Sequence, residues 1–238
     1  MIQYERQQNI LNILQHRGSA SVRELSAAVF ASEASVRRDI EALEKQGYVK
    51  RIYGGVILSK HENSVIPLDL RDPEHSAIKE QLARRAATLV PDGATVLIDA
   101  SSTTRRILRY LDHRRDLRVI TNNLRLLQEA QDPAIQFYGT GGAYDPTNHA
   151  FVGPAAEAYV RGISADIFFF SSQGITEDGE ITDVSEEETS LRRIMLSRAK
   201  RRVFLCDSSK IGIRRVFTLC DRHEVDEIIC DVSLPWET

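Results

Sequence analysis

Between residues 76 and 231, short β-rich apolar runs alternate with longer stretches of helical spacing, and no other feature limits the fold so much. The pattern predicts strands at 94–99 (ATVLID), 117–121 (LRVIT), 134–138, 165–171 (ADIFFFS), 202–207 (RVFLCD) and 226–231 (DEIICD). Helices are expected at 76–90, 102–113, 122–131, 153–162 and 186–200, with a short one near 208–213. A long loop joins 138 to 153, and a turn joins 171 to 186. Strands separated by helices in this way make an α/β domain with a mainly parallel sheet.

Such sheets bind ligands beyond the carboxyl ends of their strands. The first end carries Asp99-Ala-Ser101-Ser102-Thr103-Thr104, a hydroxyl cluster opening a helix. Free N–H groups and the positive end of the helix dipole suit a phosphate there, whereas capping alone needs one of the four hydroxyls. The next ends carry Thr121-Asn122-Asn123, then Gly139-Thr-Gly141-Gly142, where missing side chains let a backbone come close. Ser172-Gln173-Gly174 and Asp207-Ser208-Ser209-Lys210 complete one polar rim. Hydroxyls, amides and a single lysine are what a sugar phosphate needs. There is no nucleotide fingerprint and no His/Cys metal cluster, so no cofactor is expected. Ser185-Glu-Glu-Glu188 suggests catalysis at first sight, but it fits a capping box at a helix start, and no catalytic residue is assigned. His149 stands in the long loop without a partner in sequence.

The first 58 residues read differently. Ile10, Leu11, Ile13 and Leu14 give a helix over about 3–16, stopped by Gly18. Ser21 and Glu24 form a capping-box pattern that opens a helix over 21–29. Ser32 then caps a longer helix in which Val36, Ile40 and Leu43 make an apolar stripe, with Gly47 as its left-handed stop. Ala34, Ser35, Arg37 and Arg38 fall off that stripe. Small residues let the helix end approach a groove, and two guanidinium forks match phosphate oxygens or the O6/N7 edge of guanine. An ordinary amphipathic helix with a solvated charged face is the bland alternative. Tyr48-Val-Lys50-Arg51-Ile-Tyr53-Gly54-Gly55-Val-Ile-Leu58 reads as a hairpin joined by Gly54-Gly55. Helix-turn-helix plus hairpin is a winged helix, with Lys50, Arg51 and Tyr53 where a wing meets DNA. Ser21 and Ser32, at the two helix starts, are counted with the same face.

Charge agrees with that division. Residues 1–60 hold nine Lys/Arg against six Asp/Glu, while the other 178 hold 22 against 28. A basic amino-terminal module on an acidic body suits nucleic-acid binding by the small domain. Cys206, Cys220 and Cys230 lack ligand spacing and suit a reducing cytoplasm without disulfides. No apolar run approaches the ~20 residues of a membrane helix, and the amino terminus has no signal-peptide core. A cytoplasmic protein without a membrane partner is expected.

Residues 3–58 resemble the DNA-binding domain of the DeoR family of bacterial repressors. The family pattern stands here as Ser32-Glu-Ala-Ser35-Val36-Arg37-Arg38-Asp39, then Ile40-Glu-Ala-Leu43-Glu-Lys-Gln-Gly47, then Arg51-Ile-Tyr-Gly54-Gly55, with Ser35 for the usual threonine. The second half resembles that family's sensor domain, itself similar to ribose-5-phosphate isomerase, at Asp99…Thr103, Thr121-Asn122-Asn123, Gly141-Gly142, Gly174-Ile175 and Asp207-Ser208-Ser209-Lys210. Ser101 departs from the family, many members having glycine there. The resemblance implies a winged helix-turn-helix domain over 1–58, a linker over 59–75 and an α/β sensor over 76–238. It implies a regulator of a carbohydrate operon, a repressor first and an activator second, that binds double-stranded operator DNA as a dimer or tetramer and answers to a phosphorylated sugar. The rival expectation is a sugar-phosphate isomerase carrying a DNA-binding domain.

Overall fold

The computed structural model of the protein describes residues 3–45, 48–58 and 67–237. The chain divides into two compact units, Met1–Arg71 and Asp72–Thr238.

In the first unit α1 (Gln3–Arg17) buries Ile10, Leu11 and Leu14. It stops at Gly18, whose φ of +76° needs no Cβ and whose N–H donates to the Leu14 carbonyl at 2.8 Å. After β1 (Ser19–Ala20), α2 (Val22–Ala28) opens on the expected capping box. The Glu24 N–H donates to Ser21 Oγ at 3.2 Å, and the Ser21 N–H returns to the Glu24 carboxylate at 2.7 Å. The stripe of α3 (Glu33–Lys45) packs Val36, Ile40 and Leu43 against Leu25, Val29, Val49 and Val56. Gly47, read as its stop, lies outside the described residues. Strands β2 (Val49–Ile52) and β3 (Gly55–Leu58) pair with β1 in an antiparallel sheet of order β1-β3-β2.

The wing corrects one expectation. Its two-residue turn is Tyr53–Gly54, because Ile52 pairs with Gly55. Gly54 supplies the positive φ of the turn, +86°, while Gly55 sits inside β3, where a Cβ would come within 2.7 Å of the Ala20 carbonyl oxygen. One glycine serves the turn and the other serves the β1–β3 approach. Of the expected linker, residues 59–66 lie outside the described ones. Its far end is not irregular: α4 (Leu68–Arg71) is helical and packs beside α1.

The second unit is built on six parallel strands in the order β14-β12-β9-β4-β5-β6. These are β4 (Thr95–Ile98), β5 (Leu117–Thr121), β6 (Ile135–Gly139), β9 (Ala165–Phe170), β12 (Ala199–Cys206) and β14 (Glu227–Cys230). Phe168 and Phe170 enter the core on one face and Phe169 the core on the other, so the apolar run of β9 is buried on both sides. The helices α5 (Ser76–Ala87), α6 (Leu124–Glu129), α7 (Pro154–Arg161) and α8 (Glu186–Arg198) supply the covering layers. Chain order runs outward from β4 in one direction through β5 and β6, and from β9 in the other through β12 and β14. The switch point therefore falls between β4 and β9.

Four expectations change here. The helix expected over 102–113 is a seven-residue 3₁₀ segment, Thr104–Tyr110. The hydroxyls that suggested a helix start compete for its backbone groups, since Ser101 Oγ accepts the Thr104 N–H at 3.0 Å. The long loop after β6 contains a hairpin, β7 (Ala143–Asp145) and β8 (Ala150–Val152). An antiparallel sheet of β10 (Gly174–Ile175), β11 (Glu180–Asp183) and β13 (Phe217–Asp221) occupies stretches read as turn or left unread. The 208–213 helix is a 3₁₀ turn, Ser208–Lys210.

Candidate functional site

On the first unit, α3 and the wing present the residues expected at DNA. Ser32 Oγ accepts the Ser35 N–H at 3.3 Å and shares a 3.0 Å contact with the Ser35 hydroxyl, so both serines fix the helix start. Ala34 beside them is exposed. Arg37 and Arg38 point to solvent, but they differ. Arg37 pairs with Glu33 at 3.2 Å, whereas Arg38 has no ion-pair partner among the described residues. Lys50 is likewise exposed. Arg51 is not free for a phosphate: its Nε donates to Glu44 at 2.7 Å and its N–H to the same carboxylate at 3.1 Å, which ties the wing to α3. That bond raises the arginine's pKa and lowers the carboxylate's. Tyr53 stands wholly exposed at the wing tip. Ser21 is spent in its capping box.

Asp39 was missed. It is fully buried and accepts Arg6 Nε at 2.5 Å, Arg6 Nη2 at 3.2 Å and Gln7 Nε2 at 3.4 Å, which fastens α3 to α1. The signal was present, since 39 lies on the apolar stripe with 36, 40 and 43.

In the second unit the expected residues lie at the carboxyl ends of the strands, Asp99 to Thr104 after β4 beside the switch point, Asn122 and Asn123 after β5, Gly141 and Gly142 after β6, Gln173 and Gly174 after β9, and Lys210 after β12. Asp99 is wholly buried and saturated by protein: Thr104 Oγ1 donates to it at 2.6 Å, the Ser171 N–H at 3.2 Å and Arg192 Nε at 2.8 Å. Arg192 also holds Asp183 at 2.9 Å and Glu188 at 2.5 Å. Burial works to lower the Arg192 pKa, but Glu188, Asp183 and Asp99 together raise it above its ordinary value. The capping-box reading is therefore half right. Ser185 accepts the Glu188 N–H at 3.3 Å, while the Glu188 carboxylate turns to Arg192 instead of back to Ser185.

Of the four loop hydroxyls, Ser101 and Thr104 bond each other at 2.7 Å. Those of Ser102 and Thr103 have no hydrogen-bond partner among the described residues. The second strand end supplies two orphans. Asn122 Nδ2 donates to the Phe151 carbonyl at 3.2 Å, and its Oδ1 is buried without a partner. Asn123 Oδ1 caps α6 by accepting the Leu126 N–H at 3.2 Å, and its Nδ2 is buried without a partner. Thr121 Oγ1 accepts the Asn123 N–H at 3.0 Å, so its role is to shape the turn. A buried unpaired acceptor beside a buried unpaired donor calls for an explanation, and a polar ligand or water supplies one.

The glycines divide in the same manner. Gly141, with φ +63°, faces open space, whereas a Cβ on Gly142 would meet the Val152 carbonyl at 2.6 Å. Gly174 is needed for chain packing, because a Cβ there would run into the Ile213 carbonyl oxygen. Gln173 is buried. Lys210 is half-buried in its 3₁₀ turn, where Ser208 bonds Asp231 at 2.7 and 2.9 Å. His149, unassigned from sequence, lies between Tyr144 OH at 2.7 Å and Arg125 Nη2 at 3.2 Å, contacts that only the β7–β8 hairpin creates. A shallow cleft lined by Arg84, Thr88, Arg109 and Tyr110 lies where the chain runs into β4 and β5, at the opposite edge of the sheet. No group of His, Cys, Asp or Glu able to hold a metal occurs among the described residues, nor a helix long and apolar enough to cross a membrane.

A family model described as a DeoR-like helix-turn-helix domain matches residues 6–62, and one described as the DeoR C terminal sensor domain matches 74–232. The HTH-type transcriptional regulator GolR of Listeria innocua is 32% identical over 232 residues, covering 97% of this chain and 91% of its own. The putative aga operon transcriptional repressor of Escherichia coli O157:H7 is 29% identical over 236 residues, covering 97% and 87%. The L-fucose operon activator of Escherichia coli K12 is 28% identical over 229 residues, covering 95% and 94%. Among solved structures, the tetrameric eIF2B-beta2-delta2 complex from C. thermophilum aligns at a TM-score of 0.50 and 12% identity, over 87% of this chain and 64% of that one. Ribose 5-phosphate isomerase A from Methanocaldococcus jannaschii aligns at 0.44 and 18%, over 58% and 55%. The former is a likeness of fold alone, and the latter is too slight to support any statement about activity.

Proposed function

The chain belongs to the DeoR family of DNA-binding transcriptional regulators, and on that premise we propose that it is a cytoplasmic repressor of a carbohydrate-use operon whose operator affinity is set by a phosphorylated sugar. The observation that carries the effector half is the pair of buried orphan amide atoms, Asn122 Oδ1 and Asn123 Nδ2, at the end of β5, with the hydroxyls of Ser102 and Thr103, unpartnered among the described residues, at the end of the neighbouring β4. An acceptor, a donor and two hydroxyls match a polyol. The phosphate would take backbone N–H groups of the hydroxyl loop or Lys210. The seven-residue 3₁₀ segment offers little dipole, so the hydroxyls and Lys210 carry more of that anion than a long helix would require.

The mouth suits a sensor better than an isomerase. Its carboxylates Asp99, Asp183 and Glu188 are all held by Arg192, which leaves none of the three as a free general base. The DNA half rests on Arg38 and Lys50, exposed and without ion-pair partners among the described residues, with Arg37 beside them. One recognition helix spans few base pairs, so at least a dimer with half-sites spaced by whole helical turns is expected.

The test is a thermal-shift screen with sugar phosphates, followed by operator anisotropy with any hit. A phosphate ester should raise Tm and change operator affinity by about 5–150-fold, while the free sugar does neither. Lys210→Ala should weaken the ester and leave binding of the ligand-free protein to DNA unchanged. Equal binding of sugar and ester, or turnover of a pentose phosphate, would sink this reading. Relatives carry both repressor and activator names, and the sign of the operator response decides between them.

A further inference from the structure

Arg105 and Arg106 follow the hydroxyl loop directly, and both are buried. Two adjacent guanidiniums lose much hydration on burial and need close partners. Their shared partner is Asp72, the first residue of the second unit. Arg105 Nη2 donates to Asp72 Oδ2 at 2.5 Å, Arg106 Nη1 to Oδ1 at 2.6 Å, and Arg106 Nη2 to the Asp72 carbonyl at 2.9 Å. Each arginine then reaches on to a different element. Arg106 donates to the Ser102 carbonyl, inside the hydroxyl loop. Arg105 bonds Glu129, at the end of the α6 helix that Asn123 caps.

We propose that Asp72, Arg105 and Arg106 form a coupling clamp that links occupancy of the mouth to the chain leading into the DNA-binding unit. The inference rests on the reading of that mouth as an effector site. Anchoring the chain at Asp72 would need one arginine. Here two arginines that follow the hydroxyl loop converge on one carboxylate, Arg106 holding the Ser102 carbonyl of that loop as well and Arg105 the last residue of α6, and Asp72 is bonded to Arg71, the last residue of the first unit. A guanidinium is a planar fork, so its donors move together: a shift of Ser102 that displaces Arg106 also displaces its hold on Asp72. Arg105 Nε is buried without an acceptor, so the observed arrangement does not pair every donor, and a second arrangement could pair it. A ligand that favours one arrangement over the other shifts the equilibrium by its differential affinity.

The variant is Asp72→Asn, which keeps the shape and removes the charge, with Asp72→Glu as the conservative control. Coupling is reciprocal, so the first measurement needs no sugar. Hydrogen exchange of residues 101–110 is followed with and without a duplex that the protein has enriched from a random library. In the wild type, DNA should change exchange of that segment at least threefold. In Asp72→Asn it should not, although the variant binds the duplex within threefold of wild type and Asp72→Glu restores part of the change. No change in the wild type, or the same change in Asp72→Asn, overturns the clamp. The second measurement adds ribose 5-phosphate, fructose 1-phosphate, fructose 6-phosphate and glucose 6-phosphate. Whichever of these binds wild type should bind Asp72→Asn within threefold by calorimetry, yet its effect on duplex affinity should fall below threefold. A full response in Asp72→Asn also overturns the clamp. If the exchange result holds and no sugar phosphate binds wild type, the proposed effector fails and the clamp stands.

Discussion

Arg37, Arg38 and Lys50 of the first unit stand in solvent, while Arg105, Arg106 and Arg192 of the second are almost wholly buried. The same side chain therefore serves opposite ends. An exposed guanidinium keeps its donors for a partner that arrives later, and its removal should hurt binding and spare folding. A buried one has most of its donors filled by carboxylates and loop carbonyls, and its removal strands charges where water cannot reach them. The contrast separates the surface proposed to recognise DNA from the frame around the proposed effector mouth.

The largest effect should come from the frame. Arg192→Met leaves Asp99, Asp183 and Glu188 buried without their cation, and breaking a buried pair costs about 3–5 kcal/mol. Urea unfolding should show that loss in the second unit. A change under about 1 kcal/mol would mean that the carboxylates accept protons or rearrange at little expense. Next comes the face. Arg38→Ala should lose about 1–3 kcal/mol of specific operator binding if its fork reads a guanine edge, with unfolding unchanged. Operator affinity by anisotropy and unfolding on the same samples would break the comparison if both fell together. Lys50→Ala should weaken all duplexes alike and lower the slope of log K against log salt by about one.

How far each region could be read from sequence follows the same division. Helix stripes and caps are local, so α1, α2 and α3 and the basic face of α3 were legible from periodicity and from Ser21 and Ser32. The wing turn was misplaced by one residue because Gly54-Gly55 offers two equivalent sites. The choice is made by Gly55 fitting against Ala20, a contact 35 residues away in sequence that no local pattern carries. The parallel strands were legible as apolar runs, but β10 is only two residues long, and EITD of β11 and FTLCD of β13 carry no continuous apolar run. Asp99 read as a ligand group because its partner Arg192 lies 93 residues on. Asn122 and Asn123 gained meaning only once burial showed which of their atoms lack partners. A rim of polar strand ends is visible in sequence; which of its members the protein itself occupies is not.

The smallest effect probes the boundary between the two uses of arginine. Arg37 lies on the exposed face yet already has a partner, Glu33, one turn earlier at 3.2 Å. Exposed pairs at this spacing contribute about 0.3–0.5 kcal/mol and weaken in salt, so Glu33→Gln should lower stability by no more than that. Its consequence for DNA depends on what the pair does. If Glu33 competes with the backbone phosphates for Arg37, neutralising it frees a fork and removes a negative charge from the interface. Operator affinity should then rise by about two- to fivefold at low salt, and the gain should shrink as salt increases. If instead Glu33 holds Arg37 in the pose that DNA needs, affinity should fall, because the freed side chain must be ordered on binding. The competing role is favoured here. Arg37 and Glu33 both face solvent, and no third group among the described residues is recorded fixing the Arg37 fork, in contrast to Arg192, whose three carboxylates leave it no second pose. Titrating the duplex at two salt concentrations with wild type and Glu33→Gln separates the outcomes, and a loss of affinity at both would place Arg37 with the frame instead of the face.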